Sequence, residues 1–406
     1  MVLRVEDTDQ TRFVPGAEQY IVDCLEWCGI VTDESSLQSG PYGPYRQSDR
    51  KPMYRQYAEQ LIAQGDAYYA FDTPEELEKM REELKTPENP SPQYDITTRM
   101  RMRNSLSMPP GEVDALLEAG IPYVIRFRMP EGETIQFDDL IRGSISNDTG
   151  LLDDKVLLKS DGMPTYHLAV VVDDYLMKIS HIFRGEEWLP SAPLHVLLWK
   201  KLGWEQDMPH FGHLPLILKP DGNGKLSKRD GDRLGFPVFA MDWTDPQTGE
   251  KTIGFKERGF LPEAFLNMLA FLGWHPGTEQ EIFSLAELEA AFSVERISRS
   301  GAKFDYEKAK WFNQQHIQRT DNDVLAAGIL PFFEAAGLTV DNKDVLVRVV
   351  SLVKDRCHTL ADFAEQSAFF FRAPEQIDLD SIRGKWTPEK AVFYREWSDN
   401  FNAVGS

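Results

Sequence analysis

Cysteine is scarce in this chain: Cys24, Cys28 and Cys357 are the only three among 406 residues. That number excludes a disulfide framework, which small secreted domains build from many closely spaced cysteines. Cys24 and Cys28 stand four apart beside Leu25, which suits two small side chains on the inner face of a helix. No His or second Cys pair lies near them and the pair Cys357-His358 is equally alone, so neither zinc nor another structural metal is expected. Long apolar runs are lacking too. No stretch reaches the roughly 18 apolar residues of a membrane span, and Met1-Val-Leu-Arg-Val-Glu-Asp-Thr-Asp9 has no apolar signal core. A cytoplasmic protein without membrane contact is expected. Cations are the third deficit: 44 Lys and Arg stand against 65 Asp and Glu, a net charge of −21. On average such a balance disfavours nucleic acid as a partner, because phosphate contacts need Lys and Arg. A local basic face can still hold RNA while the surrounding acid discourages indiscriminate binding.

Against that background one stretch is densely basic: Asp221-Gly-Asn-Gly-Lys225-Leu226-Ser227-Lys228-Arg229-Asp-Gly-Asp232. Glycines on both sides let the backbone turn sharply or approach a ligand closely. Lys225, Lys228 and Arg229 around the Ser227 hydroxyl have the chemistry of a loop closing on a polyphosphate. On composition alone a solvated surface turn is the simpler account.

The length predicts two to three domains. Residues 3–9 read as a short strand entering an acidic turn. Helical spacing runs from Ala17 to Gly29 and from Met53 to Gln64. Thr73-Pro-Glu-Glu76 is a helix start with Thr as cap, Pro in the first turn and Glu three residues on. Arg99, Arg101 and Arg103 read as a solvated face. The alternation of Val124–Met129, a turn at Pro130–Glu133 and the return over Thr134–Ile141 predict a hairpin. Lys155–Lys159 and Ser180–Phe183 read as strands, with Arg184 at the carboxyl end of the second, where open α/β sheets bind ligands. A helix follows over Ala192–Leu202. Beyond residue 260 the patterns are helical, at Pro262–Leu272, Tyr306–Asn313, Asp323–Ala336 and Asp344–Val353, with a second capping box at Ser284–Glu287. Strands with intervening helices indicate a parallel sheet with a smaller α+β insertion, then an all-α half.

Several segments, in order, resemble the glutamyl-tRNA synthetases. They are Leu3–Asp9, Thr165-Tyr-His-Leu-Ala169, Phe183-Arg-Gly-Glu-Glu-Trp-Leu-Pro-Ser191, the basic loop Lys225–Arg229, Leu261–Ala264 with Leu272-Gly-Trp274, and Ser298–Asp305. The similarity covers nearly the whole chain and is weakest after about residue 320. The resemblance implies a multidomain fold: a Rossmann-type class I catalytic domain in two parts (1–64 and 151–235) and an inserted α+β acceptor-binding domain (65–150). A stem-contact region (236–305) and an all-α anticodon-binding region (306–406) follow. It implies ATP-dependent activation of L-glutamate and transfer to tRNA(Glu) by a monomer. ATP would carry Mg²⁺ on its phosphates. Lys225, Ser227 and Lys228 match the catalytic loop positions. Glu6, Tyr166, His167, Val170 and Arg184 match the glutamate pocket, and Glu187, Leu218, Lys225, Leu226, Ser227, Lys228 and Arg229 match the ATP site. The chemistry of these residues agrees. Arg184 is a permanently charged fork for a carboxylate, although an ion pair with Glu186 or Glu187 would also account for it. Tyr166 offers a hydroxyl and a ring wall.

Three departures set further expectations. The one His-x-Gly-His, His210-Phe-Gly-His213, lies just before the basic loop and not at the start of the catalytic domain where the family has it, so a first strand and part of the ATP grip are expected to be missing and activity to be poor. Val170 stands where the family usually has asparagine. The helical end reads as shortened. The alternatives are a tRNA-binding paralogue without adenylation activity, and an enzyme that also charges tRNA(Gln). The absence of Cys between 29 and 356 excludes the zinc-bearing insertion of some relatives.

Overall fold

The computed structural model of the chain describes residues 1–373 and 378–404. Residues 3–9 do not form a regular strand. They run extended, with isolated parallel bridges Val2–Glu34 and Val5–Arg46, because Asp7 and Asp9 turn their side chains onto nearby backbone and hydroxyl donors instead. Helix α1 (Ala17–Trp27) and helix α2 (Lys51–Gln64) follow the predicted spacing. Gly65 ends α2 at φ 81°, a left-handed conformation that a Cβ would oppose. Helix α2 buries Tyr54, Ala58 and Leu61, spaced along one face.

Strand β1 (Ala67–Ala70), helix α3 (Pro74–Leu84) and helix α4 (Pro110–Glu118) come next, with the Thr73–Glu76 capping box intact on α3. The predicted hairpin is different. Strand β2 (Val124–Phe127) pairs antiparallel with β1 and with β5 (Val156–Leu158), whereas β3 (Thr134–Asp139) turns back on β4 (Gly143–Asp148). Alternation specifies which face a strand buries, not which strand it joins, so partners distant in sequence displaced the local one. Arg99 is not solvated either. It is buried, donating to Met129 O at 2.9 Å and to the Glu131 carboxylate at 2.7 Å, with Asp154 at 3.3 Å.

The apolar run through Val170–Val172 is helix α5 (Tyr166–Leu176), buried from Leu168 to Asp174. Three valines oppose a helix only weakly, and burial on every side outweighs that preference. Strand β6 (His181–Gly185), helix α6 (Ala192–Lys201) and strand β7 (His210–Leu214) complete the sheet, in the order β4-β3-β7-β6. Strands β6 and β7 are parallel, and Arg184 stands opposite His213. One apolar core joins α2, α5 and α6 to the strands, with Tyr54, Phe127, Val172, Trp199 and Phe211 at its centre.

Strand β8 (Ile217–Leu218), helix α7 (Lys228–Leu234), the short pair β9 (Trp243–Thr244) and β10 (Lys251–Thr252), helices α8 (Pro262–Phe271) and α9 (Leu285–Ala291), and strand β11 (Ala302–Lys303) follow. Here Phe236, Phe255, Phe265, Phe304 and Phe312 form a second core. Backbone contacts divide the chain into Met1–His316 and Ile317–Ser406, within α10 (Tyr306–Arg319), so residues 262–316 pack with the first unit rather than forming a half with the later helices. In the second unit α11 (Asn322–Ala335), α12 (Lys343–Val353) and α13 (Asp362–Ser367) bury Leu325, Ile329, Phe333, Val350 and Phe363. No helix among the described residues is long and apolar enough to cross a membrane.

Candidate active site

The carboxyl end of β6 brings the predicted pocket residues together around Arg184. Parallel pairing sets Arg184 beside His213, and its Nε donates to His213 Nε2 at 3.0 Å. Nη1 donates to the Tyr166 hydroxyl at 3.1 Å and lies 3.2 Å from His195 Nδ1. Nη2 is buried without a partner among the described residues. Neither acid that could have neutralised Arg184 does so: Glu186 pairs with Arg142 at 2.6 Å, and Glu187 pairs with Lys225.

Tyr166 opens α5, after Thr165 anchors the turn by donating its hydroxyl to Val156 O at 2.6 Å. Its ring packs on Trp188 with centroids 4.6 Å apart. Both line a cleft of about 740 Å³ together with Glu6, Asp7, Arg12 and Lys159. Glu6 faces this cleft and accepts from Arg4 at 3.0 Å, while the other arm of Arg4 reaches Asp174 at 2.7 Å. Burial raises the Asp174 carboxyl to about 6 despite Arg4 beside it. Asp7 accepts from the backbone N–H of Ser48 at 2.8 Å.

Two sequence-predicted pocket residues take other surroundings. His167 turns its Nδ1 to His195 Nε2 at 3.1 Å, and burial lowers its imidazole to about 4. Val170 lies one turn beyond Tyr166, in the apolar core.

The basic loop joins β8 to α7. Leu218 bridges Lys225 across it, and Gly222 and Gly224, at φ 82° and 90°, make the turn between them. At Gly222 a Cβ would also meet Lys303 Cε at 2.5 Å. Ser227 precedes α7 and donates its backbone N–H to Asp230 at 3.1 Å. Lys225 reaches Glu187, and Lys228 reaches Glu250 at 3.2 Å, so both ammonium groups rest on carboxylates. Lys225, beside it, lowers the Glu187 carboxyl. Arg229 is exposed. Leu226, Lys225, Glu187 and Gly185 line a second cavity of about 320 Å³. Exposed pairs of this kind are weak and exchange readily for a more highly charged anion. No group of three or more His, Cys, Asp or Glu among the described residues could hold a metal ion.

His195 and Asp139 escaped the sequence reading, and His213 entered it only within His210-Phe-Gly-His213, not as a pocket residue. Their only signal was polarity inside apolar segments such as Pro193-Leu-His195-Val-Leu-Leu198, where a buried polar group must have a partner.

The family described as tRNA synthetases class I (E and Q), catalytic domain, matches residues 1–311, and that described as anticodon binding domain matches residues 324–403. The chain is 55% identical to a glutamate–tRNA ligase of Amoebophilus asiaticus, over 96% of this chain and 76% of that one. It is 54% identical to the glutamate–tRNA ligase of Cytophaga hutchinsonii, over 99% and 79%. Among solved structures, a glutamate tRNA ligase from Elizabethkingia meningosepticum in complex with its amino acid superposes with a TM-score of 0.92 at 48% identity. That match covers 98% of this chain and 78% of the other.

Proposed function

Because the chain belongs to the glutamate–tRNA ligases among the class I synthetases, we propose that the cleft lined by Glu6, Tyr166 and Trp188, with Arg184 beside Tyr166, binds L-glutamate and that the Lys225–Arg229 loop binds ATP. The observation that carries this reading is the buried, unpartnered Nη2 of Arg184 beside the Tyr166 hydroxyl. A buried cationic donor left open is costly unless an anion completes it. Glu6, which lines the cleft with Tyr166, offers a carboxylate to the substrate ammonium.

Glutamate activation forms a bond from its α-carboxylate oxygen to the α-phosphorus of ATP and breaks the α–β anhydride, releasing pyrophosphate. The terminal ribose hydroxyl of tRNA then takes the glutamyl group and AMP leaves. Neither step needs a protein nucleophile; the residues orient reactants and stabilise developing charge. Lys225, Lys228 and Arg229 suit the triphosphate, with Ser227 a further hydroxyl donor and Leu218, Leu226 and Glu187 around the nucleotide. Mg²⁺, held on the phosphate oxygens, would supply further charge neutralisation. His167 and Val170 support the pocket from behind rather than touching glutamate. Residues 65–150 receive the acceptor end of the tRNA and residues 306–406 its anticodon. The protein acts as a monomer in the cytoplasm. The test is glutamate-dependent ATP–pyrophosphate exchange with tRNA present. Exchange lost in Arg184→Ala and Lys228→Ala supports the assignment, and undiminished exchange in both removes it.

A further inference from the structure

The way Arg184 is held extends this reading, on which the following rests. Its Nε and Nη1 hydrogens go to three acceptors, His213 Nε2, the Tyr166 hydroxyl and His195 Nδ1, none of which is a carboxylate. A guanidinium has no acceptor and keeps its protons. His213 must therefore accept at Nε2 and carry its proton on Nδ1, which donates to Asp139 Oδ2 at 2.6 Å. Asp139 is fixed in turn. Its Oδ1 accepts from the backbone N–H groups of Ile141 at 3.0 Å, Arg142 at 2.8 Å and His213 at 3.2 Å. Although burial opposes the charge, these bonds hold the Asp139 carboxyl down at about 2, so it stays an acceptor. By the same logic His195 accepts at Nδ1, carries its proton on Nε2 and donates to His167 Nδ1 at 3.1 Å. Burial first, then the Arg184 charge, lowers the His195 imidazole well below its ordinary range.

We propose that His213 and His195 are positioning residues that hold Arg184 by uncharged acceptors, with Asp139 fixing the His213 tautomer, so that both Nη2 hydrogens and the full positive charge are presented to the substrate carboxylate. An acid in place of either imidazole would orient the guanidinium equally well but neutralise it. A histidine in its other tautomer would turn an N–H against an N–H.

The test separates tautomer control from general support. Asp139→Asn keeps size and Oδ1 but can place an amide donor opposite His213 Nδ1, releasing the ring to its other tautomer. In His213→Gln the side-chain Oε1 takes the place of Nε2 and accepts whatever residue 139 offers. Glutamate affinity is measured by calorimetry on the full chain. Asp139→Asn is expected to weaken it on the order of 10- to 100-fold, the usual effect of removing a partner that orients a ligating group. In the His213→Gln background the same substitution should change it by no more than about twofold, the scatter of independent sites. An equal loss in both backgrounds would overturn the proposal, as it marks a structural role. So would unchanged affinity in Asp139→Asn while Arg184→Ala binds glutamate poorly. If Arg184→Ala leaves affinity intact, the assignment of the pocket itself falls. Should Asp139→Asn not fold, His195 decides: His195→Leu should weaken glutamate binding and His195→Asn, whose Oδ1 replaces Nδ1, should restore it. Equal affinity in those two variants overturns the proposal.

Discussion

Two arginines of the first unit, Arg99 buried and Arg184 half-buried, are used in opposite ways. Arg99 is surrounded by the protein's own anions, Asp154 at 3.3 Å and Glu131 at 2.7 Å. Asp154 also receives the Tyr68 hydroxyl and the Met129 N–H. All of that charge is answered from within, which serves to lock β1, β2 and β5 together. Arg184 meets a phenol and two imidazoles instead, and one amino group is left open. The two residues of one type differ in depth and in what surrounds them. Arg99, paired with acids, belongs to the architecture, whereas Arg184, held by neutral acceptors, suits the substrate anion proposed for it.

The largest expected effect lies on the architectural side. Arg99→Met leaves Asp154 buried and short of its cation, and should cost about 3–5 kcal/mol of unfolding free energy in a denaturant titration. Arg184→Ala should invert the pattern, removing about 2–5 kcal/mol of glutamate binding by calorimetry and destabilising the fold less than Arg99→Met, because it strands no acid. Equal destabilisation by the two, with glutamate affinity unchanged, would erase the distinction. Lys228→Ala should lower the rate of adenylate formation on the order of 100-fold while leaving glutamate affinity alone; the reverse pattern would move Lys228 from nucleotide to amino acid. The smallest effect concerns acid. Folded His167 takes a proton near 4, against 6.5 for a free imidazole, so between those values the unfolded chain binds more protons and stability falls as pH drops. His195 acts in the same direction. Each contributes at most about 1.4 kcal/mol per pH unit. His195→Asn should flatten that slope between pH 6.5 and 5, and an unaltered slope would mean that His195 is charged in the fold. Below about 4 a second loss begins, because the Asp139 carboxyl, held near 2 in the fold, is protonated first in the unfolded chain.

Local chemistry was the legible part of the sequence. The Thr73 and Ser284 capping boxes and the helix end at Gly29 sit where the residues placed them, since each is decided within one turn of chain. Arg184 was legible because an arginine at a strand end, followed by acids, is a local pattern. The partners of β2 were not, nor was the fate of Arg99, whose ligands come from distant segments. The tyrosine and arginine of the site could be read from the chain, but the imidazoles behind them could not. His195 looks from sequence like any polar residue on an apolar helix, and only its place in the fold between Arg184 and His167 gives it a task.

Helix α5 acts as a calliper. Its first residue, Tyr166, touches Arg184, and Asp174, eight residues on, grips Arg4, whose other arm holds Glu6. At 1.5 Å per residue those grips stand roughly 12 Å apart along the axis, and Asp173 clamps the shaft by accepting from Arg50 at 2.7 Å and Tyr54 at 2.8 Å. The jaw that would meet a carboxylate and the jaw that would meet an ammonium are thus mounted on one rigid bar. Adding one residue within α5 would rotate one grip by about 100° relative to the other, so this helix tolerates changes of side chain more readily than changes of length.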